Sequence, residues 1–181
     1  MGFDVYGLKP ETDVVPDQPN WSQNNYDEEQ AKAYFAWQEN TPGAYFRNNV
    51  WWWRPLWNYV SFMCNDILTD EDIDEGCMNS GHRISKTKAK KIAARLRKLD
   101  KQGHTKEYEL ERNESLDDLK MEECDLCKGT GLRNDEHVQG KCNGCGGAGE
   151  VKPWIADYPF NVNNVRNFAH FCEKSGGFEI C

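Results

Sequence analysis

Tyr45-Phe46-Arg47-Asn48-Asn49-Val50-Trp51-Trp52-Trp53-Arg54-Pro55-Leu56-Trp57-Asn58-Tyr59-Val60-Ser61-Phe62-Met63 is the densest aromatic stretch of the chain. Pro55 suits a first helical turn, where its missing N–H costs nothing. Beyond it Leu56, Val60, Met63 and Ile67 recur at helical spacing, which predicts a helix over 55–67. Ahead of Pro55 stand three consecutive tryptophans. In an extended backbone, successive side chains point to opposite faces, so the three cannot all enter one core.

The rest of the 181 residues supports a small domain built around such aromatics. Seven Trp, seven Tyr and eight Phe set the chain apart from disordered sequences, which are poor in aromatics. Lys and Arg total 22 against 30 Asp and Glu, a formal charge of -8. An acidic chain is a poor general binder of nucleic acid. No apolar run approaches the roughly 20 residues needed to span a bilayer, so no membrane partner is expected. The start lacks the charged-then-apolar pattern of a secretory signal. The expectation is a cytoplasmic protein with reduced thiols.

Outward from the aromatic stretch, residues 1–8 alternate Phe3 and Val5 with Asp4, the pattern of a strand with one core face. Residues 9–25 hold Pro10, Pro16 and Pro19 and read as a mobile loop. A helix is expected over 27–39, stopped at Thr41-Pro42-Gly43. Residues 69–82, after the helix expected over 55–67, are acidic and then Gly- and Asn-containing and read as a turn or loop. Asp70, Asp72 and Asp74 match the first three positions of an EF-hand. Glu75 stands where that loop needs glycine and Gly81 where it needs glutamate, so a calcium loop fails.

Ser85 is placed to cap a helix over 86–101, with Ala89, Ile92, Leu96 and Leu99 on one face. Its other face is basic and includes Lys90, Lys91 and Arg95. That face suits nucleic acid, an acidic partner, the chain's own acidic loops or plain solvent. Residues 105–123 admit a strand or a helix. Over 163–174, Val165, Phe168, Ala169 and Cys172 share a helical face that Gly176-Gly177 ends. Residues 178–181 alternate again, a candidate last strand to pair with the first. The fold class expected is α+β, with a few short strands and three to four helices. Residues 1–123 and 150–181 form one domain, and 124–149 an inserted module.

That module carries the most specific motif. Cys124-Asp-Leu-Cys127-Lys-Gly129-Thr-Gly131 returns as Cys142-Asn-Gly-Cys145-Gly-Gly147-Ala-Gly149. Each half is Cys-x-x-Cys-x-Gly-x-Gly, and together they supply four thiolates, enough to close a tetrahedral zinc site. The glycines let the backbone fold under the metal in conformations costly for residues with a Cβ. The repeat resembles half of the cysteine-rich zinc module of DnaJ-type chaperones. Two repeats instead of four imply one structural Zn2+. No His-Pro-Asp tripeptide is present, so a co-chaperone role is not implied. The other cysteines, Cys64, Cys77, Cys172 and Cys181, are scattered singly.

A second resemblance covers most of the chain. Met-Gly-Phe-Asp-Val-Tyr-Gly at the start, the segment from Phe46 to Trp57, and Ser175-Gly-Gly-Phe-Glu-Ile-Cys181 resemble a group of small uncharacterised bacteriophage and bacterial proteins. That resemblance implies a phage-type accessory protein that binds and modulates or inhibits a host protein, such as a defence factor. Phosphate-binding loops, nucleophile elbows and His-Glu-x-x-His helices are absent, so binding is expected rather than catalysis. Arg47, Asn48, Asn49, Trp51, Trp52, Trp53, Arg54 and Trp57 are the candidate partner or ligand residues. They fit a protein-binding patch, a nucleotide pocket built on stacking and Arg/Asn hydrogen bonds, or simply a core poor in aliphatics.

Overall fold

The computed structural model describes residues 2–12, 15–22 and 26–181. Residues 13–14 and 23–25 of the expected loop lie outside the described residues. The architecture is α+β, and the chain divides into two compact units, Met1–Glu109 with Phe160–Cys181, and Leu110–Pro159. In chain order the elements are β1 (Gly2–Gly7), α1 (Glu28–Asn40), β2 (Tyr45–Asn49), α2 (Val50–Met63), α3 (Asp70–Glu75), β3 (His82–Ser85), α4 (Lys86–Lys101) and α5 (His104–Asp117). They continue with β4 (Glu122–Glu123), β5 (Leu132–Asn134), β6 (Gln139–Lys141), β7 (Glu150–Val151), α6 (Val162–Lys174) and β8 (Gly177–Ile180). A short 3-10 turn, Trp154–Asp157, precedes α6. No helix among the described residues is long and apolar enough to cross a membrane.

The first unit is an antiparallel sheet in the order β2-β1-β8-β3. β1 and β8 are its inner strands, joined at their ends by reciprocal hydrogen bonds between Asp4 and Cys181 of 2.7 and 2.8 Å. Strand alternation divides the sheet into two chemistries. Phe3, Val5, Ile84, Phe178 and Ile180 point to one side and are buried there under α2, α4 and α6. Asp4, Tyr6, Tyr45, Arg47, Arg83 and Glu179 belong to the other side by register.

Tryptophan dominates the core. Trp53 and Trp57, one helical turn apart on α2, stack at 5.5 Å with planes 10° apart, and Phe3 stacks on Trp53 at 5.2 Å. Phe168 of α6 meets both indoles edge-on. Each buried indole N–H finds a carbonyl, Trp53 on Gly76 at 2.8 Å and Trp57 on Ile73 at 3.0 Å. Burying an aromatic of this size requires that partner for its polar edge. Gly76 itself is forced, because a Cβ there would lie 2.1 Å from the Trp57 ring.

The helix carrying these tryptophans starts at Val50, not Pro55. The Asn49 side chain caps it by accepting the Trp52 N–H at 3.1 Å. All three tryptophans are therefore helical and rotate by about 100° each. Trp51 is exposed, Trp52 half-buried and Trp53 fully buried. Trp53 and Trp57 are accordingly core residues and not the partner-binding residues expected of them. The helix ends at Met63, with Cys64 as its cap, short of the expected Ile67.

One further expectation changes, and one open choice resolves. The acidic segment read as loop contains α3, started by a capping box in which Thr69 and Asp72 exchange hydrogen bonds. A six-residue acidic helix has too little apolar period to announce itself. Residues 105–123 resolve largely into α5, whose apolar side chains follow no single face.

Asp72 is the main buried charge of this unit. The residue is 3 % exposed, and its carboxylate takes hydrogen bonds from the Thr69 N–H at 2.8 Å, His82 Nε2 at 2.9 Å and the Lys88 ammonium. Burial alone would raise its pKa. The Lys88, Thr69 and His82 contacts outweigh that and hold it well below the usual carboxylate range. Removing one partner of a buried pair leaves the other desolvated, so Asp72→Asn should cost about 3 kcal/mol in urea denaturation. Because the folded carboxylate has the lower pKa, its contribution is complete above the ordinary value of about 4 and is lost as pH falls through the folded one. The gap between wild type and Asp72→Asn should therefore hold constant from neutral pH to about 5 and close below about 4.

Candidate metal centre

In the second unit the repeated hooks, 124–131 and 142–149, lie between two short antiparallel strand pairs. β4 pairs with β7 and β5 with β6. The halves are offset by 18 residues, and their contacts come in matched pairs. The Cys124 N–H donates to the Gly149 carbonyl at 2.8 Å, and Cys142 N–H to the Gly131 carbonyl at 2.9 Å. Thr130 N–H donates to the Cys127 carbonyl, and Ala148 N–H to that of Cys145. The unit thus has an internal pseudo-two-fold that follows directly from the sequence repeat.

The four sulfurs converge at its centre. Cys124 and Cys142 Sγ are 3.9 Å apart, Cys127 and Cys145 Sγ 3.7 Å, and all four lie within 4.8 Å of one another. All are free thiols, three buried and Cys145 half-buried. They are close enough to hold a metal ion. Backbone N–H groups point at sulfur from Gly131 to Cys127 at 3.3 Å and from Gly149 to Cys145 at 3.2 Å. Thiols this crowded cannot all ionise without a cation. Burial raises the Cys145 thiol, but the Gly149 and Gly147 N–H groups overcome it and the net pKa falls. Cys127 ends up raised, chiefly by burial.

The glycine requirement is conformational and steric together. Gly131 has φ +70° and Gly149 φ +84°, the left-handed region. A Cβ on Gly131 would sit 2.4 Å from the Gly147 carbonyl oxygen, and one on Gly149 2.4 Å from that of Gly129. Each half thus closes against the backbone of the other. Gly146 is also left-handed, at φ +63°, but a Cβ there meets nothing within 4 Å.

The other expected site residues scatter. Arg47 faces Asp4 at 3.5 Å on the second side of the sheet. Asn48 donates to Asn164 at 3.0 Å, and Asn164 in turn donates to the Trp52 carbonyl at 3.2 Å. Asn48 and Trp52 border a shallow cavity of about 340 Å³ with asparagines of α6. Asn49 is used as a cap, and Trp51 and Arg54 lie exposed on α2. The octet expected as one site is therefore divided among core, cap and two surfaces, because residues 45–49 are strand and those after them helix.

On α4, Lys90 and Lys91 are exposed, but Arg95 is not part of a free basic face. Its guanidinium donates to the Met63 carbonyl at 2.6 Å, closing the C-terminal turn of α2, and forks onto Asp66 at 3.1 and 2.8 Å. Lys88 and Arg97 are likewise spent on Asp72 and Glu173.

The sequence reading did not assemble a cavity of about 480 Å³ on the second side of the sheet, where Tyr6, Tyr45, Arg83 and Glu179 face Tyr34 and Gln38 of α1. Its only sequence signal is the alternation of β1, which sets Asp4 and Tyr6 opposite Phe3 and Val5. No family model, curated protein or solved structure matches this chain.

Gly131→Ala should lower the thermal stability of the second unit more than Gly146→Ala. The latter bears only the left-handed strain, of about 1–2 kcal/mol. Thermal melts of the two variants, followed by a probe in this unit, check the order.

Proposed function

We propose that the chain is a zinc-stabilised binding protein whose partner is a host protein. For the metal, the carrying observation is the sulfur geometry. A tetrahedron with Zn–S bonds of about 2.3 Å has edges of about 3.8 Å. The two sulfur pairs stand at 3.9 and 3.7 Å. A disulfide would need about 2.05 Å. Four soft thiolates select zinc over hard cations, and the resemblance to the DnaJ-type module agrees. With four protein ligands the shell is closed, so the ion's role is to fold the unit and not to activate water. Elemental analysis of the purified protein should give one zinc per chain. Cys142→Ser should lose it, and strong chelators should unfold the second unit while the first unit's sheet and helices persist.

For the partner, the supporting observation is the outer face of α2. Trp51 is 43 % exposed and Phe62 73 %, about three turns apart on one side of the helix, with exposed Arg54 and Asn58 between them. Large aromatics and arginine in such a stripe are the residues that dominate protein interfaces. The resemblance to phage accessory proteins makes a host protein, such as a defence or regulatory factor, the natural partner, and inhibition the natural outcome. Affinity capture from host lysate should recover one protein in stoichiometric amount with the wild type. Trp51→Ala combined with Phe62→Ala should weaken that complex by tenfold or more, and undiminished capture by the double variant would exclude this face.

A further inference from the structure

The second side of the sheet carries one row of side chains in register across all four strands. Tyr45 of β2 opposes Tyr6 of β1, Tyr6 opposes Glu179 of β8, and Glu179 opposes Arg83 of β3. All four form one wall of the 480 Å³ cavity. The facing wall is Tyr34, Phe35 and Gln38 of α1, with Gln18 and Trp21 from the segment before it. Tyr6 and Tyr45 lie 5.3 Å apart, and Trp21 and Phe35 5.7 Å apart, so each wall offers aromatic surface.

The polar groups divide into committed and uncommitted. Arg83 Nε is bound to Glu179 at 2.6 Å, Tyr45 hydroxyl donates to Asp4, and Gln18 donates to the Tyr34 hydroxyl at 3.4 Å. Gln38 differs. It is 6 % exposed, lines the cavity, and its amide makes no hydrogen bond among the described residues. That amide offers the cavity one donor and one acceptor side by side.

We propose that this cavity binds a neutral nucleobase, as the free base or the nucleoside, stacked between the aromatic walls with its hydrogen-bonding edge on Gln38. Two aromatic walls suit a planar ring better than a sugar, whose hydroxyls would want many uncommitted polar partners. An amide matches the adjacent donor and acceptor of a base edge, and stacking on aromatic side chains suits any base. A phosphate is disfavoured, because the Arg83 guanidinium, the one such group lining the cavity among the described residues, is paired with Glu179 and the Asp4 carboxylate lies close behind Tyr45. Burial, with the Asp4 contact, keeps the Tyr45 hydroxyl protonated.

Isothermal titration of the zinc-loaded full chain with adenosine, guanosine, cytidine and uridine tests this, beside their 5′-monophosphates and with glucose and galactose as sugars. At least one nucleoside should bind, and its monophosphate should bind no tighter. Gln38→Leu, which fills the same volume without polar atoms, should weaken binding at least tenfold while melting no lower than the wild type. Trp21→Ala, at the exposed rim, gives an independent loss without touching the core. Absence of nucleoside binding at millimolar concentration would overturn the proposal. So would binding that both variants leave unchanged, binding of the sugars alone, or a monophosphate preference of tenfold or more.

Discussion

The pairing of β1 with β8 is the constraint on which the first unit depends. These strands lie at opposite ends of the sequence yet form the inner pair of the sheet. Every buried side chain of the sheet, from Phe3 to Ile180, is oriented by that register, and the indole stack of α2 and the aromatic face of α6 close over it. A one-residue slip would turn Val5 and Ile180 to the polar side and Tyr6 and Glu179 into the core. Contacts of such sequence separation are entropically expensive to form first, so folding of this unit is expected to be slow relative to a helical protein of its size.

The second unit solves a different problem. It has few large apolar side chains to bury; its centre is Cys124, Cys127 and Cys142 with Cys145 and Val151 against them. Its four thiols lie close enough to hold a metal ion, and coordination there would supply folding free energy that a hydrophobic core supplies elsewhere. The chain therefore combines one unit held by aromatic packing with another held by sulfur.

Much of this was legible in the residues. The alternation around Phe3 and Val5, the helical spacing of Ala89, Ile92 and Leu96, and the Cys-x-x-Cys-x-Gly-x-Gly repeat each follow a period, and a period survives without tertiary context. What escaped lacks one. Asn49 as a cap moved the start of α2 forward by five residues and carried Trp51 to Trp53 onto a helix, where 100° rotation gave each a different environment. α3 is too short and acidic to present a face. Arg95 looked like one charge in a basic row, and only the fold brings it to Met63 and Asp66. The cavity wall of Tyr45, Tyr6, Glu179 and Arg83 is drawn from four separated segments, so no local pattern announces it. Cys64 was one of several scattered thiols; packed in the core, it is pushed up to about 12 by burial and is chemically quiet at neutral pH.

The reciprocal closure of the cysteine hooks means that neither half is a module in its own right. Gly131 is seated by the carbonyl of Gly147, Gly149 by that of Gly129, and each hook's first cysteine is hydrogen-bonded to the other hook's last glycine. Such an arrangement has no spare parts. Oxidation or alkylation of one thiol changes the four-sulfur cluster and also the surface against which the opposite hook is folded. Damage at any one of four positions is thus expected to register as loss of the whole unit, an all-or-none response to thiol chemistry instead of a graded one.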